Sequence, residues 1–453
     1  MQKTAIIGSG ESGFGAALLA KQQGHGVFVS DAGKIAEEKK TVFREKGIDF
    51  EEGKHSVESF IAADTVVKSP GIPYSNPLMT QIISSGIPVV DELEFAFGFS
   101  KGKVIAITGT NGKTTTTLLT YHLLKSAGLN VGLAGNVGKS WALQLCENDH
   151  DWWVLEVSSF QIEGFVKFRP SVALLLNITP DHLDRYDNDL SLYAATKLKL
   201  TDTMEPEDHF IYYDEDLIIK STLKSRKSQP EDLPYGLDIS PERKAYVEEN
   251  KLTVKTGGKI WTWPIQEMAL QGKHNLCNSL AAVLAAKMAG VPSEKLGPGL
   301  KTFVNAAHRM EWVAEIDGLE FINDSKGTNV DATAFALEAY QNDLIWIAGG
   351  VDKGNDYSLL EKKIEGHVKV LICLGKDNEK LKKAFSGKIP VILETQDLQQ
   401  AITWALEKGA AGDLVLLSPA CASFDLFKNY EDRGNQFKEA VLNLKKAFEN
   451  GKS

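Results

Sequence analysis

A short apolar run leads directly into a glycine-rich turn at residues 104–115, which read VIAITGTNGKTT. The apolar half predicts a strand covered on both faces, and the residues beyond the turn predict a helix. Glycines let backbone N–H groups close around phosphate oxygens, a helix start attracts anions, and Lys113 adds a positive charge. The hydroxyl of Thr114 then stands where such loops bind Mg²⁺. We therefore predict a phosphate-binding loop, although Ile107 occupies the first glycine position of the standard motif and an ordinary turn is the alternative.

A second glycine-rich turn lies near the N-terminus, where residues 8–13 read GSGESG after an apolar run. Asp31 ends the next apolar run, so its carboxylate is available to a ribose hydroxyl. The order of strand, glycine turn, helix and strand predicts a parallel, doubly wound sheet. This pattern indicates only that a pyrophosphate and a ribose are bound. It leaves open a nicotinamide cofactor, another nucleotide diphosphate or a purely structural turn.

Polar residues follow two further apolar runs, at residues 156–161 (EVSSFQ) and 177–184 (NITPDHLD). Ligands of open parallel sheets gather beyond the carboxyl ends of the strands. Glu156 and His182 are therefore expected to face the phosphate-binding loop and to complete a metal shell, with hydrogen-bonded structural roles as the alternative. Lys197 lies in a predicted helix, and its pattern alone predicts a solvated lysine.

Three strand ends of the last segment carry lysines, small hydroxyl residues and glycines. They are residues 323–328 (NDSKGT), 349–354 (GGVDKG) and 418–425 (SPACASFD). This composition suits an anion such as a carboxylated substrate, and solvated loops are the alternative. Arg309 lies just before this segment, where it would reach a triphosphate once domains close or else pair with a surface carboxylate.

The alternation of strand, turn and helix restarts twice along the chain. We therefore predict three consecutive α/β domains with mostly parallel sheets, over residues 1–95, 96–303 and 304–453, with a hinge at the second boundary. Between about residues 203 and 272 the pattern changes to a small antiparallel insertion, in which residues 225–234 are predicted to form a loop.

Composition narrows the class of protein. The 453 residues include 50 Lys+Arg and 60 Asp+Glu, which give a formal net charge of −10. Such a surface repels phosphate backbones, so nucleic acid is a poor partner. No apolar run approaches the roughly 18 residues of a membrane span, and the N-terminus lacks a signal-peptide pattern, so a cytoplasmic location is expected. The four cysteines are far apart and predict neither a zinc site nor a disulfide framework.

The order and spacing of these motifs resemble the ATP-dependent Mur ligase family over nearly the whole chain. The resemblance rests on residues 108–115, 156–161, 181–185, 272–275, 308–309 and 323–326. Within the family, residues 417–425 and 427–434 are similar to the members that add D-glutamate to UDP-N-acetylmuramoyl-L-alanine. Asn111 stands where the L-alanine-adding members usually carry histidine, and the Asp-Asn-Pro-Arg motif of the diamino-acid-adding members is absent from the sequence.

The resemblance implies a role for each domain, with Rossmann-like folds for the first and third and a phosphate-loop ATPase-like fold for the second. The first would bind the UDP part of the substrate, the second ATP, and the third D-glutamate while closing on ATP. The implied UDP-substrate residues are Ser9, Gly10, Ser12, Gly13, Asp31, Ser69, Pro70, Gly71, Asn136 and Ser158. The implied ATP-binding residues are Gly109, Thr110, Asn111, Gly112, Lys113, Thr114, Thr115, Asn275, Arg309 and Asp324. The implied D-glutamate-binding residues are Lys326, Thr328, Lys353, Ser423, Phe424 and Tyr430.

The resemblance also implies two Mg²⁺ ions, one near Thr114 and Glu156 and the other near His182 and Lys197. It further implies that Lys197 reacts with CO₂ to become a carbamate, in place of the solvated lysine that its pattern predicts. A carbamate is an anionic oxygen ligand suited to a hard cation. The implied catalytic residues are Lys113, Glu156, His182 and Lys197.

The implied reaction is an ATP-dependent amide ligation through an acyl phosphate, which gives ADP and phosphate during peptidoglycan precursor synthesis. A monomer with small-molecule substrates is expected. Another Mur-type ligase that adds a different amino acid is the nearest alternative. A phosphate-loop switch or motor ATPase would leave the three strand-end clusters of the last domain without a role, and a nicotinamide dehydrogenase would depend on the first glycine turn.

Overall fold

The structure, a computed structural model, describes residues 1–340, 342–352 and 354–451, in which three sheets follow one another along the chain. The strands of the first sheet are β1 (Lys3–Ile7), β2 (Gly26–Asp31), β3 (Asp49–Glu52), β4 (Thr65–Lys68) and β5 (Val89–Asp91). They pair in parallel in the order β3-β2-β1-β4-β5. Their helices are α1 (Glu11–Gln22), α2 (Glu37–Lys46), α3 (Val57–Ile61), α4 (Pro77–Ser84) and α5 (Glu92–Phe97). The strand order reverses beside β1, which is where doubly wound sheets bind their ligands.

The second sheet contains the predicted phosphate-binding strand near its middle. Its strands are β6 (Lys103–Thr108), β7 (Val131–Gly135), β8 (Trp152–Glu156), β9 (Val172–Leu175), β10 (His209–Tyr213), β11 (Glu231–Tyr235), β12 (Ala245–Glu248), β13 (Lys251–Thr256) and β14 (Lys259–Pro264). Their order is β14-β13-β12-β11-β10-β9-β6-β8-β7, with antiparallel pairing only at β12-β13 and β13-β14. The helices are α6 (Lys113–Ser126), α7 (Trp141–Leu145), α8 (Ser159–Ile162), α9 (Leu190–Leu198), α10 (Leu217–Leu223), α11 (Lys273–Met288) and α12 (Ser293–Thr302).

The predicted insertion is antiparallel where β13 turns into β14, but the predicted loop over residues 225–234 is wrong at its end. Residues 231–234 begin β11, because β10 pairs with them in parallel. Pro234 has no N–H to offer a neighbouring strand, yet its carbonyl accepts a hydrogen bond from the N–H of Lys244 at 2.8 Å. The tertiary partner strand therefore overrides a polar, proline-containing sequence that favours a loop.

The third sheet is formed by β15 (Glu311–Ile316), β16 (Leu319–Asn323), β17 (Leu344–Ala348), β18 (Val368–Leu374), β19 (Val391–Thr395) and β20 (Leu414–Leu417). Their order is β15-β16-β20-β17-β18-β19, and only the β15-β16 pair is antiparallel. The helices are α13 (Val330–Glu338), α14 (Glu361–Ile364), α15 (Glu379–Phe385), α16 (Leu398–Lys408) and α17 (Tyr430–Gly451). The predicted fold class, three α/β sheets with mostly parallel strands, is confirmed.

Met1–Phe303 form one compact unit, and Val304–Ser453 form a second. The first unit contains two sheets because they share a hydrophobic core, in which Trp141 of α7 and Leu93 of α5 are both fully buried. Gly15 of α1 allows the close approach, since a Cβ there would lie 2.1 Å from the Oγ of Ser140. Within the residues that the structure describes, no helix is both long and apolar enough to cross a membrane.

A buried carboxyl group ties α5 to the start of α7. The Oε1 atom of Glu92 accepts hydrogen bonds from the hydroxyl of Ser140 and the N–H of Ala142, both at 2.7 Å. Burial raises the pKa of Glu92 from 4.5 to about 7. A folded-state pKa above the unfolded value means that the folded chain binds more protons in this interval. The free energy of unfolding therefore falls as the pH rises from 4.5 to about 7.

We predict that Glu92→Gln removes this part of the pH dependence. Glutamine keeps a carbonyl oxygen to accept the same hydrogen bonds, but it cannot ionise. The variant should gain stability relative to the wild-type protein as the pH rises towards neutrality, by up to about 3 kcal/mol. Denaturant unfolding of both proteins between pH 4.5 and pH 8 measures this difference.

The matched control is Glu58→Gln, because Glu58 is an exposed residue of α3. Its stability profile should run parallel to that of the wild-type protein at every pH. A constant offset between Glu92→Gln and wild type across the whole range would contradict the prediction, since it would report only the altered hydrogen bonding.

Candidate functional site

The predicted phosphate-binding loop joins β6 to α6 and needs glycine at two positions. Gly112, the residue before α6, has a left-handed backbone with φ of 81°, and a Cβ there would lie 2.4 Å from the Oδ1 of Asn278. Gly109 has φ of 153°. The positive end of the helix dipole makes the start of α6 attractive to an anion. The first turn of α6 contains Lys113, Thr114 and Thr115.

The loop is held by the segment that follows β9. The N–H of Thr110 donates to the carbonyl of Asn177 at 2.9 Å, and the N–H of Asn111 donates to the Oδ1 of the same residue at 2.8 Å. The Nζ of Lys113 donates to the carbonyls of Gly109 and Thr110 at 2.9 and 2.7 Å. These contacts fix the loop against the segment after β9 and hold the ammonium group of Lys113 at the loop.

Glu156 ends β8, beside the phosphate-binding strand, and is almost fully buried. Its Oε1 accepts a hydrogen bond from the Nδ2 of Asn136 at 2.9 Å, and its backbone carbonyl accepts one from the N–H of the same residue at 2.8 Å. Its Oε2 has no hydrogen-bond partner among the described residues. A buried carboxylate oxygen of this kind is suited to a hard cation.

Lys197 is 2% exposed, so the solvated lysine predicted from its local pattern is wrong. Its Nζ donates to the carbonyl of Gly109 at 2.8 Å and lies 4.5 Å from the ring centroid of Tyr193. Burial, together with the positive charge of Lys113, holds the pKa of Lys197 well below its usual range, although Asp181 opposes the shift. Lys197 is buried because α9 packs against a loop that lies far away in sequence.

His182 has a left-handed backbone with φ of 52°, and its side chain is 43% exposed. Its ring meets the ring of Phe160 edge to face at a centroid distance of 5.1 Å, and its Nε2 lies 3.7 Å from an oxygen of Asp181. In the part of the chain that the structure describes, no three His, Cys, Asp or Glu side chains form a metal-binding group. Of the metal ligands that the resemblance implies, only Glu156 and His182 belong to these four residue types.

Asp31 organises the carboxyl edge of the first sheet by holding Ser9. Its Oδ2 accepts hydrogen bonds from both the N–H and the hydroxyl of Ser9 at 2.7 Å, and its Oδ1 accepts one from the N–H of Gly33 at 2.8 Å. Partial burial raises the pKa of Asp31, but these hydrogen bonds outweigh it and the net pKa is lowered. The carboxylate is therefore charged at neutral pH and fixes the loop that follows β1.

Close approaches between backbone segments require two of the predicted glycines at this edge. A Cβ at Gly13 would lie 1.9 Å from the carbonyl oxygen of Gly8, and one at Gly8 would lie 2.3 Å from the hydroxyl of Ser69. The predicted UDP-substrate residues at this edge are Ser9, Gly10, Ser12, Gly13, Asp31, Ser69, Pro70 and Gly71. Ser158 and Asn136 instead follow strands of the second sheet, where Ser158 caps α8 by a reciprocal hydrogen bond with Gln161.

In the second unit, Asp324 follows β16 and is 7% exposed. Its Oδ2 accepts a hydrogen bond from the hydroxyl of Ser418 at 2.8 Å, and its Oδ1 accepts one from the N–H of Met310 at 3.3 Å. Burial raises the pKa of Asp324 to about 7, against the opposing effects of Ser418 and the charge of Arg309. Arg309 and Asp324 therefore interact electrostatically within this unit.

Two of the residues predicted to bind D-glutamate are in contact with each other. The Nζ of Lys326 lies 3.7 Å from the ring centroid of Tyr430. Thr328 is tied to Lys326 by a backbone hydrogen bond of 2.8 Å. Ser423 is buried, whereas Phe424 is 71% exposed. Lys353 lies outside the described residues.

Asn278 of α11 lies against Gly112 of the predicted phosphate-binding loop but is not among the residues predicted from the sequence. Its Oδ1 accepts a hydrogen bond from the hydroxyl of Thr116 at 3.2 Å, and its Nδ2 donates to the Oδ1 of Asn275 at 3.4 Å. The two asparagines lie three residues apart on α11, so they share one helix face. That spacing is the signal by which Asn278 could have been found beside Asn275.

Two further residues, Tyr193 and Arg433, are not among the residues predicted from the sequence, because their contacts are with segments far away in sequence. The hydroxyl of Tyr193, four residues before Lys197, accepts a hydrogen bond from the Oγ1 of Thr110 at 3.4 Å. Arg433 is 1% exposed and donates to the hydroxyl of Ser325 at 2.9 Å and to its carbonyl at 2.8 Å. Burial lowers the pKa of Arg433 to about 10, so it is charged at neutral pH.

Comparison with protein families gives matches to three consecutive profiles. Residues 3–77 match the MurD N-terminal domain, residues 107–286 the Mur ligase middle domain, and residues 308–421 the Mur ligase glutamate ligase domain. The profiles fall on the three sheets in order.

Curated relatives match over nearly the whole chain. The UDP-N-acetylmuramoylalanine--D-glutamate ligase of Christiangramia forsetii is 46% identical over 98% of this chain and 100% of its own length. The ligase of the same name from Bacteroides fragilis is 45% identical over 98% and 100%. That from Cytophaga hutchinsonii is 46% identical over 98% and 99%.

Solved structures share the fold at low sequence identity. A pseudomurein peptide ligase type C from Methanothermus fervidus superposes with a TM-score of 0.64 at 19% identity, covering 98% of this chain and 100% of the other. The UDP-N-acetylmuramate-alanine ligase of Thermotoga maritima gives a TM-score of 0.61 at 18% identity over 98% and 100%. Because full-length curated relatives are 45–46% identical and the Mur ligase middle domain matches residues 107–286, this chain belongs to the Mur ligase family.

Proposed function

We propose that this protein uses ATP to join D-glutamate to UDP-N-acetylmuramoyl-L-alanine, with ADP and phosphate as the other products. Full-length relatives at 45–46% identity that bear the corresponding name support this assignment. The observation that carries it is the convergence of Lys113 and Lys197 on the carbonyl of Gly109, beside the buried Glu156. The reaction would serve peptidoglycan precursor synthesis.

ATP would bind through its phosphates at residues 109–115. The helix start of α6 and the ammonium group of Lys113 favour the triphosphate charge. Asn275, buried at the start of α11, would contribute from the same unit. Arg309 and Asp324 would contribute from the second unit, which would bind D-glutamate and close on ATP, shielding a reactive intermediate from water.

Magnesium fits the donors at this edge. The unpartnered Oε2 of Glu156 and the hydroxyl of Thr114 are hard oxygen ligands, and buried oxygens of this kind match the preference of Mg²⁺. A bound Mg²⁺ would neutralise phosphate charge. His182 and Lys197 are proposed to hold a second ion.

Lys197 is proposed to carry a carbamate. The lowered pKa of its amine favours the neutral, nucleophilic form. The neutral nitrogen would bond to the carbon of CO₂ and release one proton, which leaves a carbamate with one negative charge. This converts a buried amine into an oxygen ligand for a hard cation.

The chemistry needs an activated carboxylate. A carboxylate oxygen of the L-alanine residue would attack the γ-phosphorus of ATP and displace ADP to form an acyl phosphate. The amine of D-glutamate would then attack the acyl carbon, and phosphate would leave. Phosphoryl transfer depends on positioning and charge neutralisation, to which Lys113 and Arg309 contribute. His182, with its exposed imidazole, would orient the incoming amine or take its proton.

Substrate recognition is proposed to involve residues of all three sheets. The UDP part would bind at the carboxyl edge of the first sheet around Ser9, Asp31 and the loop of residues 69–71, with the muramoyl part near Asn136 and Ser158. The carboxylates of D-glutamate would bind near Lys326, Thr328, Lys353, Ser423, Phe424 and Tyr430. The alternative is a Mur-type ligase that adds a different amino acid.

We predict that phosphate release requires all four of ATP, Mg²⁺, UDP-N-acetylmuramoyl-L-alanine and D-glutamate. The acyl phosphate needs an amine acceptor before phosphate can leave productively. A coupled phosphate assay that omits one component at a time measures the requirement. Release at full rate without D-glutamate would refute the ligase assignment, and release with another amino acid in its place would favour the alternative.

We predict that Lys113→Ala lowers kcat roughly 100-fold or more, because a positioned positive charge is lost from the phosphoryl-transfer site. The same phosphate assay measures the loss. Lys125→Ala is the control, since Lys125 lies near the end of the same helix, is exposed, and contacts Tyr121. Similar kcat values for the two variants would remove the assigned role of Lys113.

We predict that short carboxylic acids restore activity to Lys197→Ala, because a small carboxylate replaces the anionic oxygens of the carbamate in the cavity left by the side chain. Steady-state rates with increasing formate or acetate measure the rescue. Lys199→Ala, at an exposed position two residues further on, should show neither the loss nor the rescue. Wild-type activity of Lys197→Ala without added acid would exclude the carbamate.

A further inference from the structure

Arg185 makes three different contacts with one guanidinium group, although it lies in a short helical turn (Leu183–Arg185) between β9 and α9. Its Nη1 donates to the carbonyl of Pro70 at 3.1 Å, and its Nη2 donates to an oxygen of Glu163 at 2.9 Å. Its Cζ lies 4.0 Å from the ring centroid of Phe160. The side chain is 13% exposed, so these contacts are largely shielded from water. The proposed reaction assigns no role to Arg185.

The first contact reaches the first sheet. Pro70 belongs to the loop after β4 at which the UDP-substrate is proposed to bind. Next to Glu163, the segment after α8 packs closely against the end of β5. A Cβ at Gly164 would lie 2.8 Å from the backbone nitrogen of Asp91. The hydrogen bond from Arg185 therefore joins a substrate loop of the first sheet to the region that follows β9 in the second.

The second contact reaches His182 through Phe160. Arg185 lies over one face of the Phe160 ring, and the imidazole of His182 meets the same ring at a centroid distance of 5.1 Å. A planar guanidinium fits the face of an aromatic ring, where a cation is attracted to the ring electrons. Arg185 thereby restricts the ring against which the imidazole packs.

The third contact leads towards the phosphate-binding loop. Glu163 accepts a hydrogen bond from Arg185 through one oxygen and one from the hydroxyl of Tyr186 through the other, both at 2.9 Å. The ring of Tyr186 packs against that of Tyr193 at 5.2 Å, and Tyr193 lies beneath the amine of Lys197. A continuous series of side chains thus runs from Arg185 to the loop of Gly109.

Lys68 makes this junction more strongly charged. It ends β4, is 1% exposed, and its Nζ has no hydrogen-bond partner within the described residues. Burial, and the positive charge of Arg185, lower the pKa of Lys68, while Asp91 and Glu163 oppose the shift. Lys68 therefore interacts electrostatically with Arg185, Asp91 and Glu163. A substitution that changes the position of the positive charge at Arg185 therefore alters the electrostatic environment of Lys68.

We propose that Arg185 is a positioning residue that couples the substrate loop of residues 69–71 to His182. It would hold the loop through Pro70 and the imidazole through Phe160, so that the bound muramoyl substrate meets a fixed reaction centre. The proposal rests on the proposed function. A lysine is a point charge on a flexible stem and lacks a planar fork, so it reproduces the charge of Arg185 but not the three simultaneous contacts.

The test compares Arg185→Lys with the wild-type enzyme. We expect kcat/KM for UDP-N-acetylmuramoyl-L-alanine to fall roughly 10- to 100-fold, as charge-assisted hydrogen bonds are lost. The KM for ATP should stay within about twofold, since no contact of Arg185 reaches the phosphate-binding loop directly. Arg169→Lys is the control, because Arg169 is ion-paired with Glu205 and Asp208 in the same unit and is 31% exposed.

Two further variants separate positioning from general stability. Phe160→Leu leaves both hydrogen bonds of Arg185 possible and should lower kcat while the dissociation constant for the UDP-substrate changes little. Arg185→Ala should regain activity with added guanidinium but not with ammonium at equal ionic strength, because only the planar cation can occupy the vacated fork. A merely structural loss would not show this selectivity.

Binding experiments keep the inference distinct from the ligase assignment. Calorimetry with UDP-N-acetylmuramoyl-L-alanine alone should show weaker binding to Arg185→Lys than to wild type, without any turnover. Equal affinities together with equal kcat values would overturn the positioning role while leaving the ligase assignment intact. An equal loss of ATP and UDP-substrate affinity would also overturn it. Wild-type protein that binds the UDP-substrate but does not consume D-glutamate would instead refute the proposed function.

Discussion

The carbonyl oxygen of Gly109 accepts hydrogen bonds from two amines, and much of the site follows from this one contact. Lys113 donates to it at 2.9 Å and Lys197 at 2.8 Å. For both to reach it, the loop must be held against Asn177 and α9 must pack beneath it. Because Lys197 is buried beside a second positive charge, its pKa is lowered, which favours the neutral form of the amine.

The same unit joins this loop to the edge of the first sheet. The core that contains Trp141 and Leu93 is continuous between the two sheets, and Gly15 removes the side chain that would hold α1 and α7 apart. Buried or largely buried polar contacts are added at Glu92 and at Arg185. Packing therefore fixes the distance between the two sheet edges, and the buried polar contacts select their orientation.

Residues near in sequence were the ones that could be predicted. The phosphate-binding loop, the glycine turn after β1 and the parallel sheets follow from short patterns of apolar and glycine residues, whose backbone consequences are local. The resemblance to a known family then added residues such as Lys197, whose own neighbourhood favours a solvent-exposed side chain. The end of the loop predicted over residues 225–234 failed because a distant strand, β10, supplies its hydrogen-bond partners.

The sequence by itself determined the fold class and predicted the position of a phosphate-binding loop, since these depend on periodicity and on glycine spacing within a few residues. The family resemblance follows instead from motifs spread along nearly the whole chain. Only the tertiary structure decided that Lys197 is buried, that Asn278 lies against Gly112, and that Arg185 reaches Pro70. Each of these features depends on residues that are far apart in the sequence. Burial and hydrogen bonding between such distant segments depend on how whole elements pack, which local pattern does not encode.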